Sequence, residues 1–548
     1  MSISLQKGSA CTNCRHRKIV RLNLTPKIAS ALMTVFTEID SGVTHRQSLE
    51  DQISILEARL RDLENGAGFI GKADRPPLAH RSGAEVYLRP LTNSTLEGRR
   101  SNRAYLHRPF LKRLQLLAVP ASSSGNEALP PIIHQMLMIN FIRKTCSLGF
   151  FLHKEKFKQA VFRPGGAKEE RPTFALLNAS YLWGIHLSSS RNPPDQEATL
   201  VSRALQSSAH ALSENHSRKV VECIQSEVLL ATYLYRAGRT VEGRYHCTAA
   251  ASLVLSNGMH KIRAPSESSG YLETYSNPSA SPRDTVEEGE QINAFWGVYI
   301  LDIFWNVVYG IPSSIPPDLR VDCPWPRLIE DYEQTPYDPE FRNIETIERF
   351  LFGYPDNSNS PKANFAKAAV LFERATTTAL QLKNDPSSTQ FQTKFNSLDN
   401  VIQGFVEGLP PMRLGSPPPV EYQLCMKSLA HAAAIQLHIP FAHQNQASRR
   451  RILKAAKAIL EFIDDWSHIP EMEFIDPMLA IIWALCCKVF IEEGLRMKMR
   501  CAPALFSPVD IRAFSERIIV AMENHNFPLM RHQLAQVRDA FARTYLKR

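Results

Sequence analysis

From about residue 130 almost to its last residue the chain repeats one pattern, apolar side chains spaced three and four apart and closed off by glycine or proline. That spacing lines one face of an α-helix, whereas a half-buried strand needs strict alternation. No alternating run of any length occurs, nor any short-period repeat. The expected fold class is therefore all-α. Residues 291–309 give the clearest case: Ile292, Phe295, Trp296, Tyr299, Ile300, Ile303, Phe304 and Val307 share one broad face. Gly310 should end that helix, and Ile311-Pro312 prevents its return. Residues 240–257 are alanine-rich, with Gly258 placed to close the helix, and their small side chains would let a neighbouring helix approach closely. A Ser/Pro-rich loop over 266–284 and a Pro-rich break over 408–419 separate the helical runs.

A chain of 548 residues with 44% hydrophobic side chains has ample material for a sizeable core and for two to four structural units. No apolar run follows a basic start in residues 1–10, so no secretory leader is expected. The longest apolar stretches are residues 295–311, which contain Asp302 and Asn306, and residues 478–487, too short to span a bilayer. Both read as buried helices, with a soluble intracellular protein and no membrane partner as the expectation. Trp296, Trp305 and Trp483 are expected in the core, and His153, His246, His260 and His438 as structural histidines rather than ligands.

Charge is distributed unevenly. Residues 1–115 hold 19 Lys and Arg against 10 Asp and Glu, and the rest of the chain holds 45 against 44. A basic arm on a neutral body suits a polyanionic partner, and a solvated linker would have the same composition. Of the ten cysteines only Cys11 and Cys14 have metal-ligand spacing. Two thiolates three apart can grip one zinc from a tight turn. The basic run Arg15-His16-Arg17-Lys18 follows directly, and a helix starting at the metal would present it to phosphates or base edges. Further on, residues 42–64 are strongly helical in composition. Leu49, Ile53, Leu56, Leu60 and Leu63 there alternate spacings of four and three, the seam of a short parallel coiled coil or the face of a helix docked on its own chain. The expected divisions are thus 1–19 with the metal motif, 20–41 without one, 42–64 as a dimerisation helix, 65–129 as a flexible basic linker, and 130–548 as the helical body.

The string from Ala10 to Ile19 resembles the start of the fungal binuclear zinc-cluster domain, in which six cysteines hold two zinc ions. Arg21 stands where the third cysteine of that pattern would be, and residues 15–145 contain no cysteine. The cluster is truncated, so the two-zinc centre implied by the resemblance cannot form from this sequence. His16 and His45 are the further side chains that could help hold a single ion. Residues 20–41 are either a misread stretch of the gene or a genuine loss of the DNA-reading element.

The body carries the resemblance independently. Residues 225–260, 288–326, the pair Leu409-Pro410 and residues 436–441 are similar, in order and spacing, to blocks of the fungal-specific transcription factor domain. Residues 134–162, with Gly149-Phe150-Phe151-Leu152-His153, resemble its leading edge. The resemblance implies a nuclear, dimeric, DNA-binding regulator of transcription by RNA polymerase II, with zinc as cofactor and a small-molecule effector as a possible partner. A dimerising co-regulator without zinc-dependent DNA binding is the alternative. No nucleotide-binding Gly-rich loop, Gly-x-Ser-x-Gly elbow or His-Glu-x-x-His helix is present, so an enzyme is not expected.

Overall fold

A computed structural model describes residues 129–546, apart from 164–170, 189–193, 266–281, 357, 382–388, 416–417, 467–468, 470–473 and 500–504. The described residues form sixteen α-helices and no strand, in agreement with the all-α expectation. In chain order these are α1 (Pro131–Lys144), α2 (Lys154–Phe162), α3 (Phe174–His186), α4 (Pro194–His210), α5 (Lys219–Arg236), α6 (Thr240–Ser256), α7 (Thr285–Tyr309) and α8 (Ile329–Gln334). They continue as α9 (Thr346–Leu351), α10 (Pro361–Gln381), α11 (Thr389–Gly408), α12 (Val420–His438), α13 (Gln446–Trp466), α14 (Pro477–Lys498), α15 (Pro508–Glu523) and α16 (Pro528–Tyr545).

Helix α7 is the apolar rod anticipated around Trp296, extended six residues upstream. Asp284 caps it by accepting the Glu287 N–H at 2.7 Å, and Glu287 and Glu288 sit in the first turn, where the helix dipole favours negative charge. Gly310 terminates it with φ of 63°, in the left-handed region that a side chain resists. By length and composition α7 could cross a membrane, but most of it is buried among the other helices. Asp302, in its second half, is fully buried and accepts from Asn306 Nδ2 at 2.7 Å, from the Ser314 N–H at 2.9 Å and from the Ile315 N–H at 3.2 Å. Those bonds pin the Gly-Ile-Pro loop back onto the helix it ends and satisfy the buried charge.

Packing is helix against helix throughout. Helix α7 lies on α5, α6 and α10, and α10 lies on α12; Ala363, Ala366, Ala368 and Ala369 of α10 and Ala430 and Ala433 of α12 are all buried. Such small residues let backbones approach closely and draw dispersion energy from many atoms at once. Helix α6 closes as expected, with Asn257 as its cap and Gly258 at φ of 65°. Trp183, Trp296, Trp305 and Trp483 are wholly buried. Trp296 lies 4.5 Å from Trp325 in a stacked pair and donates Nε1–H to the Pro324 carbonyl at 2.7 Å. The four helices α13 to α16 form a further layer, with α13 on α12, and α15 and α16 on α14.

Helices α1 and α3 approach closely at Gly184. A Cβ built on Gly184 would lie 2.2 Å from the Leu137 carbonyl oxygen, whereas one on Gly297 of α7 meets nothing nearer than 3.8 Å. Gly184→Ala is therefore expected to cost about 1–3 kcal/mol or more through overpacking. Gly297→Ala should instead gain up to about 1 kcal/mol from helix propensity. Urea or thermal unfolding of the two full-length variants gives opposite signs if the α1–α3 contact is as tight as described.

Candidate functional site

The N-termini of four helices converge on one cleft. His153 begins α2, Thr173 begins α3, Arg218 begins α5 and Asp284 begins α7. Helix N-termini carry unsatisfied N–H groups and partial positive charge, so their meeting makes a place for anions. Three of the four ends have a side-chain cap, and α5 has none.

Two resident carboxylates occupy the deep part of this place. Glu222 of α5 accepts the Thr173 N–H at 2.7 Å, and Glu290 of α7 accepts the His153 N–H at 2.8 Å. Arg218 lies between them, its Nη2 donating to Glu290 Oε2 at 2.5 Å and its Nε standing 3.8 Å from Glu222 Oε1. Both acids are buried, and burial holds both carboxyls above their ordinary range against the opposing pull of Arg218 and of the backbone donors. One guanidinium thus serves two buried acids on two different helices.

The cleft they floor has a volume of about 880 Å³. Lys156, Arg163, Arg218 and Arg283 line it against only those two acids, and Leu152, Phe157, Ala160 and Phe162 supply an apolar wall. Lys156 reaches Asp284 at 3.5 Å and Glu333 at 3.7 Å, and Arg283 reaches Glu287 at 3.1 Å, all in exposed pairs of small energetic weight. His153 is nine-tenths buried, and its Nδ1 accepts the Lys156 N–H at 3.2 Å as the cap of α2. A neutral ring that accepts at Nδ1 carries its proton on Nε2. That Nε2 lies 3.3 Å from Glu333 Oε1 without hydrogen-bond geometry.

The model of the fungal specific transcription factor domain matches residues 140–422, just over half of the chain. The chain belongs to that family. No curated protein and no solved structure matches it. The family region runs from α1 into the start of α12 and contains every residue of the cleft; α13 to α16 lie beyond it. As a member of the family, the chain is a regulator of transcription.

The sites expected from the sequence lie elsewhere. Cys11 and Cys14, Arg15, His16, Arg17 and Lys18, and the seam Leu49, Ile53, Leu56, Leu60 and Leu63 all fall outside the described residues. Among the described residues no group of three or more His, Cys, Asp or Glu is placed to hold a metal. His246 pairs with buried Glu227 at 2.6 Å, and His438 contacts Ser448 at 3.0 Å and Asp399 at 3.1 Å, as structural histidines do. Of the four histidines expected to be structural, His153 alone lines the cleft.

Replacing Arg218 by Met leaves both acids buried without their cation. Breaking a buried pair in this way costs about 3 kcal/mol at neutral pH. The sign with pH follows from the direction of the shifts. A carboxyl raised in the folded state costs stability as pH climbs from its unfolded value through its folded one, and removing Arg218 raises both further. The Arg218→Met deficit relative to the parent should therefore be largest above neutrality and shrink toward pH 4, measured by denaturant unfolding across that range.

Proposed function

We propose that this protein regulates transcription by RNA polymerase II in the nucleus, binding DNA as a dimer and taking a small-molecule effector in its helical region. Membership of the fungal specific transcription factor domain family carries the reading. The N-terminal arm supplies its DNA-binding part: the excess of basic residues over 1–115, and the run Arg15, His16, Arg17 and Lys18 directly after Cys11 and Cys14. Those two thiolates suit zinc, but two sulfurs cannot build a two-zinc centre, so any metal bound here is a single ion. The same shortage favours a second reading, a dimerising co-regulator that acts through partners and has lost zinc-dependent DNA binding.

The readings differ in one measurement. Basic side chains on phosphates release counterions, so specific DNA binding by the full chain should weaken steeply with salt. Arg15→Ala, Arg17→Ala and Lys18→Ala together should abolish selection of a target sequence while far-ultraviolet circular dichroism stays helical. Anisotropy titrations that show no sequence preference in the parent protein select the co-regulator instead.

Dimerisation rests on the seam Leu49, Ile53, Leu56, Leu60 and Leu63. A seam of just over two heptads is marginal in water, so association should be weak. Leu56→Asp with Leu60→Asp should yield a monomer in sedimentation at concentrations where the parent self-associates. An unchanged association state would place the seam on its own chain.

A further inference from the structure

We propose that the cleft at the start of α2, α3, α5 and α7 binds an amphipathic organic acid, with its carboxylate on His153 Nε2 and Arg218 Nε and its hydrocarbon body on Leu152, Phe157, Ala160 and Phe162. This rests on the reading of the helical region as the part that receives an effector, and names the ligand's chemistry.

The argument begins with two donors. His153 is nine-tenths buried, lines the cleft, and its Nε2 makes no hydrogen bond. Because Nδ1 is committed to capping α2, Nε2 is the proton-bearing nitrogen, a donor whose nearest acceptor, Glu333 Oε1 at 3.3 Å, is out of hydrogen-bond line. Arg218 Nε, also buried, likewise makes no hydrogen bond, although Nη2 of the same guanidinium is held by Glu290. A buried donor without an acceptor costs about 1–3 kcal/mol, and two beside one cleft define a place for a ligand oxygen. The acids present leave it unfilled: Glu222 and Glu290 accept from backbone donors, Glu222 stands 3.8 Å from Arg218 Nε, and half-exposed Glu333 makes no hydrogen bond to Nε2, so a ligand carboxylate would take the place Glu333 holds at the edge.

Charge then selects the ligand's head and packing its body. Lys156 and Arg283 are paired with Asp284, Glu333 and Glu287 at the rim, so the selection comes from the deep part, where the two polar atoms without a hydrogen bond are both donors and four helix N-termini add partial positive charge. A cationic ligand would find no free acceptor there. The wall of Leu152 and the two phenylalanines rewards an apolar chain or ring, which inorganic phosphate lacks. A volume of about 880 Å³ accommodates an acid of ten or so heavy atoms with room for water at the rim.

The test uses the full-length protein with decanoate and 3-phenylpropionate as probes, and decyltrimethylammonium and inorganic phosphate as controls, by titration calorimetry. At least one acid should bind, and neither control should. His153→Asn keeps a side chain able to cap α2 but removes the Nε2 donor, and should weaken the acid about tenfold, as expected for one lost charge-assisted hydrogen bond. Arg218→Gln should weaken it at least as much. If Arg218→Gln fails to fold, His153→Asn decides alone, with a melting curve to show that it has folded. Failure of both acids to bind, equal binding of decyltrimethylammonium, binding of phosphate alone, or unchanged affinity in folded His153→Asn would each overturn the proposal. DNA binding is scored separately: acid binding without DNA binding counts against the transcription-factor reading alone, and DNA binding without acid binding against the ligand alone.

Discussion

One buried cation, the guanidinium of Arg236, joins the end of α5 to the segments that introduce α14 and α16. It lies over Phe527 at 3.9 Å and Phe474 at 4.5 Å, donates from Nη1 to the Ile475 carbonyl at 2.9 Å, and from Nε to His186 Nε2 at 3.1 Å. Burial lowers its pKa to about 10, so it stays charged at neutral pH, with Asp476 pulling the other way. Asp476, which caps α14, is itself pushed up by burial to about 6. Since His186 accepts from Arg236 at Nε2, its proton sits on Nδ1 and goes to Glu197 at 2.7 Å, and Glu197 also accepts from the Tyr233 hydroxyl at 2.8 Å. A run of contacts from Glu197 of α4 through His186 of α3 to Arg236 of α5 thus ends on the backbone and rings that introduce α14 and α16. A lysine could carry the charge but not the fork, which reaches a carbonyl and an imidazole while lying flat on two rings. This contact set ties residues outside the matched family region to it, as the Arg451–Asp399 pair at 2.9 Å does from α13 to α11.

Helix α5 gives that contact a second meaning. Arg218 stands at its N-terminus on the cleft, and Arg236 stands in its last turn at the joint with the later helices. Eighteen residues make a rod about 27 Å long, buried over nearly its whole length. A packed helix of that kind moves as a unit or not at all, because interior packing tolerates little continuous deformation. The cleft and the joint are therefore the two ends of one rigid element, each held by an arginine.

The helical body was legible because its signals are local. Gly258 and Gly310 close the helices they were expected to close, the break over 408–419 falls between the end of α11 and the start of α12, and the three tryptophans singled out are buried. The start of α7 was read from its apolar face at Gln291, whereas the helix begins at Thr285, because an Asp284 cap and an acidic first turn extend a helix without adding apolar periodicity. The cleft left no such trace. Its residues come from 152–163, 172, 216–222 and 283–290, and nothing in their separate neighbourhoods says that four helix starts will meet. The hint available was chemical and partial: Glu222 lies among the apolar positions Val220, Val221, Cys223 and Ile224, where a glutamate needs a partner, whereas Glu290 sits in the polar run 287–291 and gave no such sign.

The acids of the core fall into two kinds, and the difference bears on function. Asp302 closes a local loop, and every bond it accepts comes from within twelve residues or so on either side of α7's end, apart from the distant thiol of Cys247 at 3.9 Å. Such a carboxylate is consumed by the turn it makes, and nothing outside the fold can compete for it. Glu222 and Glu290 come from different helices, face a solvent-filled cleft and share one guanidinium that neither satisfies completely. An arginine divided between two acids can be redistributed by a third anion at lower cost than one committed to a bidentate pair, because the helix ends around it already stabilise negative charge. Natural folds depart from local consistency chiefly where they bind or switch. One such departure in the family region lies here, in a charged cluster that lines a cleft, where an apolar core would be simpler and no less stable.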